Sequence, residues 1–542
     1  MVEVRDLLAG QGWFDLHQHR MNPPDGTLMH WSRLVDAPLA GLIWLLALVL
    51  PQASAEFVVA AAMPLLLLGA AMLATGRLAL ERFSVRVAVL AVLSFALVPM
   101  VPGQFQPLRI DHHAWQVLSV AVATWAVFRP DAAPGGLIAG LAMAAGLMIS
   151  LETIVMAAGF ALVLGLRWLV HPRERVWLAR YLQGLVLGLV VLFAATRGLA
   201  DLAPHCDAIA PAHLGFFAVV ALGASLLAAR RRQHPLALVG GLGASGLAGL
   251  ALVSWAAPQC LASPFAGLDP LVREHWYLKV AEGQPLWRQP LAEALPAALQ
   301  CLIALGVAGF AAMRGEAAMR GWWRDYALLL GAAILAGVVT YRSIAFAGML
   351  ATIPLGWFAA AMIDRWQSSS SLAPKLGVAA ALYAAVLPAG IVTLLTPSED
   401  PAADRTASSL AFSSCELHRN TAALGKLPTG TLFAPLDMGG HLLLDTPHSV
   451  VASSHHRAAG GMRRVIAAFI AEPDKARAEV VASGADYLAL CADSGEVSVY
   501  RAVGGESSLA ALLARGEAPA WLEPVALGTP PALKVWRVLP AP

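Results

Sequence analysis

From residue 56 to residue 395 the chain is a near-unbroken succession of apolar runs separated by short polar turns. A run of about 20 apolar residues crosses a bilayer as a helix, because a helix satisfies its own backbone polar groups in hydrocarbon. By that ruler spans fall near 56–76, 87–101, 114–128, 135–150, 151–169, 178–196, 213–229, 236–256, 293–313, 325–341, 343–362 and 374–395. The stretch 37–50 is shorter and ends at Pro51, so it reads as an interfacial helix. The expected fold is therefore a polytopic α-helical membrane protein with about twelve transmembrane helices. Composition agrees: 58% of the 542 residues are hydrophobic and 13% charged, with a mean hydropathy of +0.66. An average soluble domain carries about 25% charged residues. Such a chain is neither disordered nor built to bind nucleic acid. Residues 1–35 are polar, aromatic and rich in His, unlike a cleavable signal peptide.

The formal charge of +2 says less than the placement of the charges, since short cytoplasmic loops accumulate Arg and Lys. Arg77, Arg82 and Arg86 share one loop, and Arg129 marks another. Arg173 with Arg175, then Arg230, Arg231 and Arg232, then Arg314, Arg320 and Arg324, then Arg365 with Lys375, mark the rest. All fall on one side. The other side receives 1–36, 102–113, 197–212, 257–292 and everything after about 397. Counting 37–50 as a full span would carry the 77–86 loop to the wrong side. After Leu395 the hydropathy collapses into a linker of Pro, Ser, Asp and Ala. The expected organisation is an outer loop over 1–36, a multi-helix membrane domain over 37–395, a linker over 396–409 and an outer soluble α/β domain over 410–542. In that last part strand-like runs at Thr431–Pro435, Ser449–Ala452, Tyr487–Cys491 and Val497–Ala502 alternate with helical patterns at Gly461–Ile470, Asp474–Ala482 and Ser507–Arg515.

Cys206 and Cys260 lie at the outer ends of two neighbouring antiparallel spans, and Cys415 and Cys491 both belong to the C-terminal domain. On an oxidising side either pair could close a disulfide; the alternative is free thiols that pack as small hydrophobes. Cys301, mid-helix, is expected only to pack.

Chemistry concentrates in the outer segments. The first carries Trp13, Asp15, His17, His19, Arg20, Asp25, His30, Trp31, Arg33 and Asp36. Its tryptophans read as an interfacial belt, Pro24-Asp25-Gly26 as a turn, and Arg20 and Arg33 as head-group contacts; the density of Asp and His also suits the wall of a polar site. The second reads Arg109-Ile110-Asp111-His112-His113 between two spans, where consecutive ionisable groups facing lipid would be costly. They should face a water-filled cavity. Asp111 with His112 or His113 can ligate a divalent metal, the carboxylate suiting Mg²⁺ or Mn²⁺ and the imidazole softer ions, while Arg109 could bind a phosphate. A later outer loop contains Glu282. Glu152 and Arg342 sit at outer helix ends, where Arg342 could bind a lipid-linked phosphate or form an ion pair with Glu152.

Asp111-His112-His113 followed by Val280-Ala281-Glu282-Gly283-Gln284-Pro285 in a later outer loop resembles the catalytic subunit of oligosaccharyltransferase, of the bacterial and archaeal single-subunit type. That enzyme belongs to the GT-C membrane glycosyltransferases. The resemblance covers most of 1–395 and implies that Asp111, His112, His113 and Glu282 hold a divalent metal, Mg²⁺ or Mn²⁺. It implies catalytic roles for Asp111, Glu282 and Arg342, and donor binding by Arg109, His113 and Arg342. It also implies a helix and a metal-binding Asp upstream of a segment like Val2–Gly10, so a late-called start or a truncated chain is expected. The family's Trp-Trp-Asp-Tyr-Gly motif is absent from the C-terminal domain; the nearest echo is Leu436-Asp437-Met438-Gly439-Gly440, followed by His448 and Ser454-His455-His456-Arg457.

The function so implied is transfer of a sugar or oligosaccharide from a polyprenyl-(di)phosphate carrier to a glycan or protein acceptor, among membrane lipids and with no nucleic-acid partner. The expected location is a bacterial inner membrane with the C-terminal domain in the periplasm. A transporter or flippase for polyprenyl-linked glycans, or an envelope-assembly scaffold, is the alternative. A transporter should show ionisable groups near the bilayer midplane.

Overall fold

The computed structural model describes residues 1–129, 134–230, 234–395 and 413–540. Among the described residues, eight helices are long and apolar enough to cross a membrane: Gln52–Arg82, Leu151–Val170, Pro172–Thr196, Pro211–Ala229, Pro235–Ala256, Leu291–Arg314, Ala317–Val339 and Tyr341–Ser368. Four shorter apolar helices, Val85–Ser94, His113–Phe128, Gly135–Ile149 and Leu372–Val386, fill the other expected positions. Two expected spans are broken. The one near 87–101 ends at Ser94, and the chain turns at Met100, whose φ of 68° lies in the left-handed region, before a short helix at Val101–Gln104. The one near 374–395 stops at Val386, because Pro388 cannot continue the helix; a second helix runs over Pro388–Leu395. The short helix near 37–50 begins earlier, at Arg33, and ends at Leu46. The expected linker over 396–409 lies outside the described residues.

Small residues let the helices approach closely. Gly140 and Gly184 face the backbones of the opposite helix: a Cβ on Gly184 would lie 2.5 Å from the Leu137 carbonyl. The two ends of the bundle are chemically different. At one end the carbonyls that close the His113–Phe128 helix are taken by Arg82 Nε (2.6 Å to Phe128 O), Trp322 Nε1 (3.1 Å to Phe128 O) and Arg167 Nη1 (3.0 Å to Val127 O). Arg167 also pairs with Asp325 at 2.6 Å. Cations at a helix C-terminus both satisfy orphan carbonyls and oppose the negative end of the dipole. Arg82, from the basic 77–86 loop of the sequence, therefore lies at this end.

The segments expected on the outer side meet at the other end, under the C-terminal domain. Trp13 donates to Ala195 O at 2.6 Å, and Arg197 donates to His30 O at 2.6 Å. Within the first segment, β1 (His17–Gln18) and β2 (Thr27–Leu28) form a small antiparallel hairpin around the expected turn. The C-terminal domain is built on β3 (Thr431–Phe433), β4 (Ser449–Val450), β5 (Tyr487–Cys491), β6 (Leu522–Pro524) and β7 (Leu533–Val538), in the order β4-β3-β5-β7-β6. β3 runs parallel to β4 and β5, while β7 is antiparallel to β5 and β6. β5 is buried along its whole length, and helices Ala459–Ile470 and Pro473–Ala482 contribute to the same core. The first segment continues this sheet: Val450 N–H donates to Arg20 O at 2.8 Å and Asn22 N–H to Val450 O at 2.9 Å. Arg20 then caps the carbonyls of Leu443 and Thr446 at 2.7 and 2.8 Å.

Several readings change. Val497–Ala502 is helical, within Gly495–Gly504: the Ser494 side chain accepts from Val497 N–H, and Val497 and Tyr500, three apart, turn inward together. Arg33 is not at lipid head groups. It is fully buried, donating to Asp15 O (2.5 Å) and Trp13 O (3.2 Å) and pairing with Asp36 at 3.1 Å. Leu436-Asp437-Met438-Gly439-Gly440 opens the helix Leu436–Asp445. Both cysteine pairs form disulfides, Cys206–Cys260 and Cys415–Cys491, and Cys301 is buried and free.

Candidate active site at the outer end

Four turns at helix ends supply the site. The first is the loop that enters the His113–Phe128 helix, where Asp111 Oδ1 accepts the His113 N–H at 3.0 Å and so fixes the helix start. The second is the tight turn Leu151–Thr153 carrying Glu152. Its Thr153 hydroxyl donates to Gly146 O at 3.2 Å and accepts from Gln116 Nε2 at 3.3 Å, which holds three helices in register. The third, Ala281–Gly283, carries Glu282, and the fourth, Tyr341–Ser343, carries Arg342. A backbone bond of 3.0 Å from Tyr341 N–H to Gln284 O joins these last two.

Their side chains form one charged chain. Arg109 Nε donates to Asp111 at 2.8 Å and Arg109 Nη2 to Glu282 at 3.4 Å. Arg342 Nη1 reaches the other oxygen of Glu282 at 3.5 Å, while its Nε and Nη2 both bind Glu152, Nε at 2.8 Å. Three carboxylates against two guanidiniums leave a net charge of −1. Glu282 is 41% exposed, so the chain is open to an incoming ligand. Gln104, His113, Gln116, Glu152 and Arg342 line a small cavity behind it.

The imidazoles are buried and under-used. Burial drives the His112 pKa well below its ordinary value, and His113, Arg342 and Arg109 add to that, so the ring is neutral and offers a lone pair. Burial would raise the Asp111 pKa, but His113 and Arg109 outweigh it and hold the carboxyl well below the usual range. His113 Nδ1 lies 2.9 Å from Asp111 Oδ1, yet neither of its ring nitrogens, nor Nδ1 of His112, has a well-directed hydrogen bond. Ring nitrogens of His112 and His113 and an oxygen of Glu152 all lie within 4.8 Å of one another. Orphaned imidazoles beside a carboxylate are the donor set a divalent metal takes, so these residues fit one.

Every sequence-predicted site residue, Arg109, Asp111, His112, His113, Glu282 and Arg342, thus lies in this region. The tight ligand group, however, contains Glu152 in place of Asp111 and Glu282. Asp111 touches its edge through His113, and Glu282 reaches it through Arg342. Glu152 was legible only as a partner for Arg342, because its neighbours come from a helix far away in sequence.

A helical membrane bundle whose turns converge under a small α/β domain defines the class of fold, and it is a fold seen in solved oligosaccharyltransferase structures. Solved structures that it resembles include those of the oligosaccharyltransferase AglB of Archaeoglobus fulgidus. The complex with an inhibitory peptide and a dolichol-phosphate matches with a TM-score of 0.64 at 12% identity, over 96% of this chain and 68% of that one. The form tethered to an acceptor peptide containing the NVT sequon matches at 0.64 and 12%, over 100% and 69%. The complex with Zn and sulfate matches at 0.58 and 13%, over 100% and 69%. At such identities the likeness is one of fold. No family model and no curated protein matches the sequence.

Proposed function

We propose that the protein is a membrane glycosyltransferase, oligosaccharyltransferase-like, that moves a sugar or oligosaccharide from a polyprenyl-(di)phosphate carrier to a glycan or protein acceptor. The observation that carries this reading is the linked chain Asp111–Arg109–Glu282–Arg342–Glu152 at the end of the bundle where the outer segments meet. Its likeness in fold to an enzyme solved with dolichol-phosphate and with an acceptor peptide supports the same reading.

His112, His113 and Glu152, with Asp111 and Glu282 beside them, would hold a divalent cation, Mg²⁺ or Mn²⁺. The imidazoles weight the choice toward Mn²⁺. Bound there, the ion supplies positive charge for a leaving phosphate. The protein's own groups do the rest. Arg109 and Arg342, paired here with Asp111 and Glu152, are the cations that would bind the phosphate oxygens of the donor. Asp111, held ionised, keeps His113 oriented. Glu282, the most exposed of the carboxylates, positions the acceptor nucleophile at the anomeric carbon. All of these groups sit in turns at helix ends, which argues against the transporter reading, since transport sites lie near the bilayer midplane.

We propose that the site faces an oxidising outer side, the periplasm of a bacterial inner membrane; the two disulfides at this end and the arginines at the other support that reading. Transfer from a purified polyprenyl-diphosphate sugar, with and without Mn²⁺ or Mg²⁺, tests the proposal. Asp111→Asn should lower turnover by about 100-fold or more, the scale of losing a preorganised electrostatic group. Full activity in Asp111→Ala would overturn it.

A further inference from the structure

A second cluster of imidazoles lies at the seam between the membrane bundle and the C-terminal domain. His30 belongs to the first outer segment, directly before the Arg33–Leu46 helix, and its carbonyl is gripped by Arg197. His455 and His456 belong to the C-terminal domain, between β4 and the Ala459–Ile470 helix. His30 Nδ1 lies 2.9 Å from His455 Nε2. The His456 ring is 4.9 Å from that of His30 and 5.0 Å from that of His455, centroid to centroid. One ring nitrogen from each histidine lies within 4.8 Å of the other two.

A hydrogen bond between His30 and His455 accounts for only part of this. It occupies two of the rings, leaves Nδ1 of His455 buried without a partner, and gives no reason for a third imidazole against them. The third ring is also braced in a telling way. Nε2 of His456 bonds Asp207 at 2.6 Å, and Asp207 is held in turn by Arg457 through bonds of 2.7 and 2.8 Å. Asp207 is the neighbour of Cys206, whose disulfide to Cys260 fixes the loop. A carboxylate behind an imidazole sets its tautomer and leaves Nδ1 free, which is how metal-binding histidines are generally supported.

We propose that His30, His455 and His456 form a zinc-type metal site, distinct from the candidate active site, that staples the C-terminal domain to the membrane bundle. The two sites share no ligand: the nearest approach is the edge of His112, whose ring is 6.4 Å from that of His30. Three imidazoles with one position left for water make the donor set that suits Zn²⁺ and excludes the harder Mg²⁺. One ligand comes from the first outer segment and two from the C-terminal domain, so the metal binds only when the two are docked. Its binding energy then adds to docking by mass action.

The test uses the full-length chain in detergent or nanodiscs, stripped with a chelator and then dialysed against ZnCl₂. The double variant Asp111→Asn/Glu152→Gln disables the other site and should still retain one equivalent of zinc by elemental analysis. X-ray absorption on that sample should show a first coordination sphere of three imidazoles. Adding His455→Ala should remove the zinc. Asp207→Asn, which keeps all three ligands, should weaken zinc affinity by about 10- to 100-fold. Intact disulfides and a single gel-filtration peak confirm that the variants are folded. No zinc in the double variant, an oxygen-only coordination sphere, or undiminished zinc in His455→Ala would each overturn the proposal.

Discussion

Replacing Arg457 with Met should loosen the seam between the bundle and the C-terminal domain by an amount the structure lets one work out. Arg457 and Asp207 are 11% and 12% exposed and share two bonds of 2.7 and 2.8 Å. Breaking a buried ion pair by removing one partner costs about 3–5 kcal/mol, because the other charge is left without compensation. Asp207 keeps its bond to His456, so about half of that is the expected loss, roughly 2 kcal/mol. At about 1.4 kcal/mol per factor of ten, seam opening should become about 30-fold more frequent. Two amides report it directly, since Val450 N–H and Asn22 N–H are both bonded across the seam. Their hydrogen exchange in Arg457→Met should accelerate by about that factor, while amides of β5 hold their rate. The pair Asp207→Leu/Arg457→Met should recover more than about 1 kcal/mol of the summed single losses, as expected of residues in direct contact. Exchange accelerated by less than about threefold, or a cycle with no coupling, would refute the claim that this pair holds the domain in place.

Other perturbations follow from the same geometry. A side chain on Gly140 would strike the backbone of the facing helix, with Leu185 N only 2.6 Å from the added Cβ, so Gly140→Val should lower thermal stability sharply in detergent; an unchanged melting curve would refute the close approach. The Cys415–Cys491 disulfide closes a separation of 76 residues, worth about 4 kcal/mol by loop-closure entropy, so Cys415→Ala/Cys491→Ala should melt the C-terminal domain at distinctly lower temperature. Burial, and then the Asp437 carboxylate, push the Glu496 pKa up from 4.5 to about 7, against the pull of Tyr500 and two backbone amides. The folded state therefore holds a proton that the unfolded chain releases. This contribution to stability is complete below about pH 4.5 and is lost as pH rises through about 7, and Glu496→Gln should flatten that slope in denaturation followed from pH 5 to 8.

Some of this was written in local sequence because its causes are local. Apolar length sets which segments enter a bilayer, and the Arg loops separate the two ends of the bundle; both follow from transfer free energy residue by residue. The outer cluster Arg109, Asp111, His112 and His113 was legible for the same reason, as four ionisable groups within five residues that lipid would not tolerate. Strand β5 could be read from its unbroken apolar run, whereas the short alternation at Val497–Ala502 could not, because a Ser cap and an inward-facing Val497 and Tyr500 decide it for helix.

What only the tertiary structure decided is which of the polar groups meet. Glu152 joins His112 and His113 across helices that are distant in the chain, and Arg33 is buried against Trp13, Asp15 and Asp36 where its neighbours alone suggested lipid contact. His30 meets His455 across 425 positions, through a sheet edge that β4 offers to Arg20 and Asn22. A hydropathy pattern records whether a residue leaves water. It carries nothing about its partners, since pairing depends on directional bonds and on packing fixed only once the turns at the outer end have closed on one another.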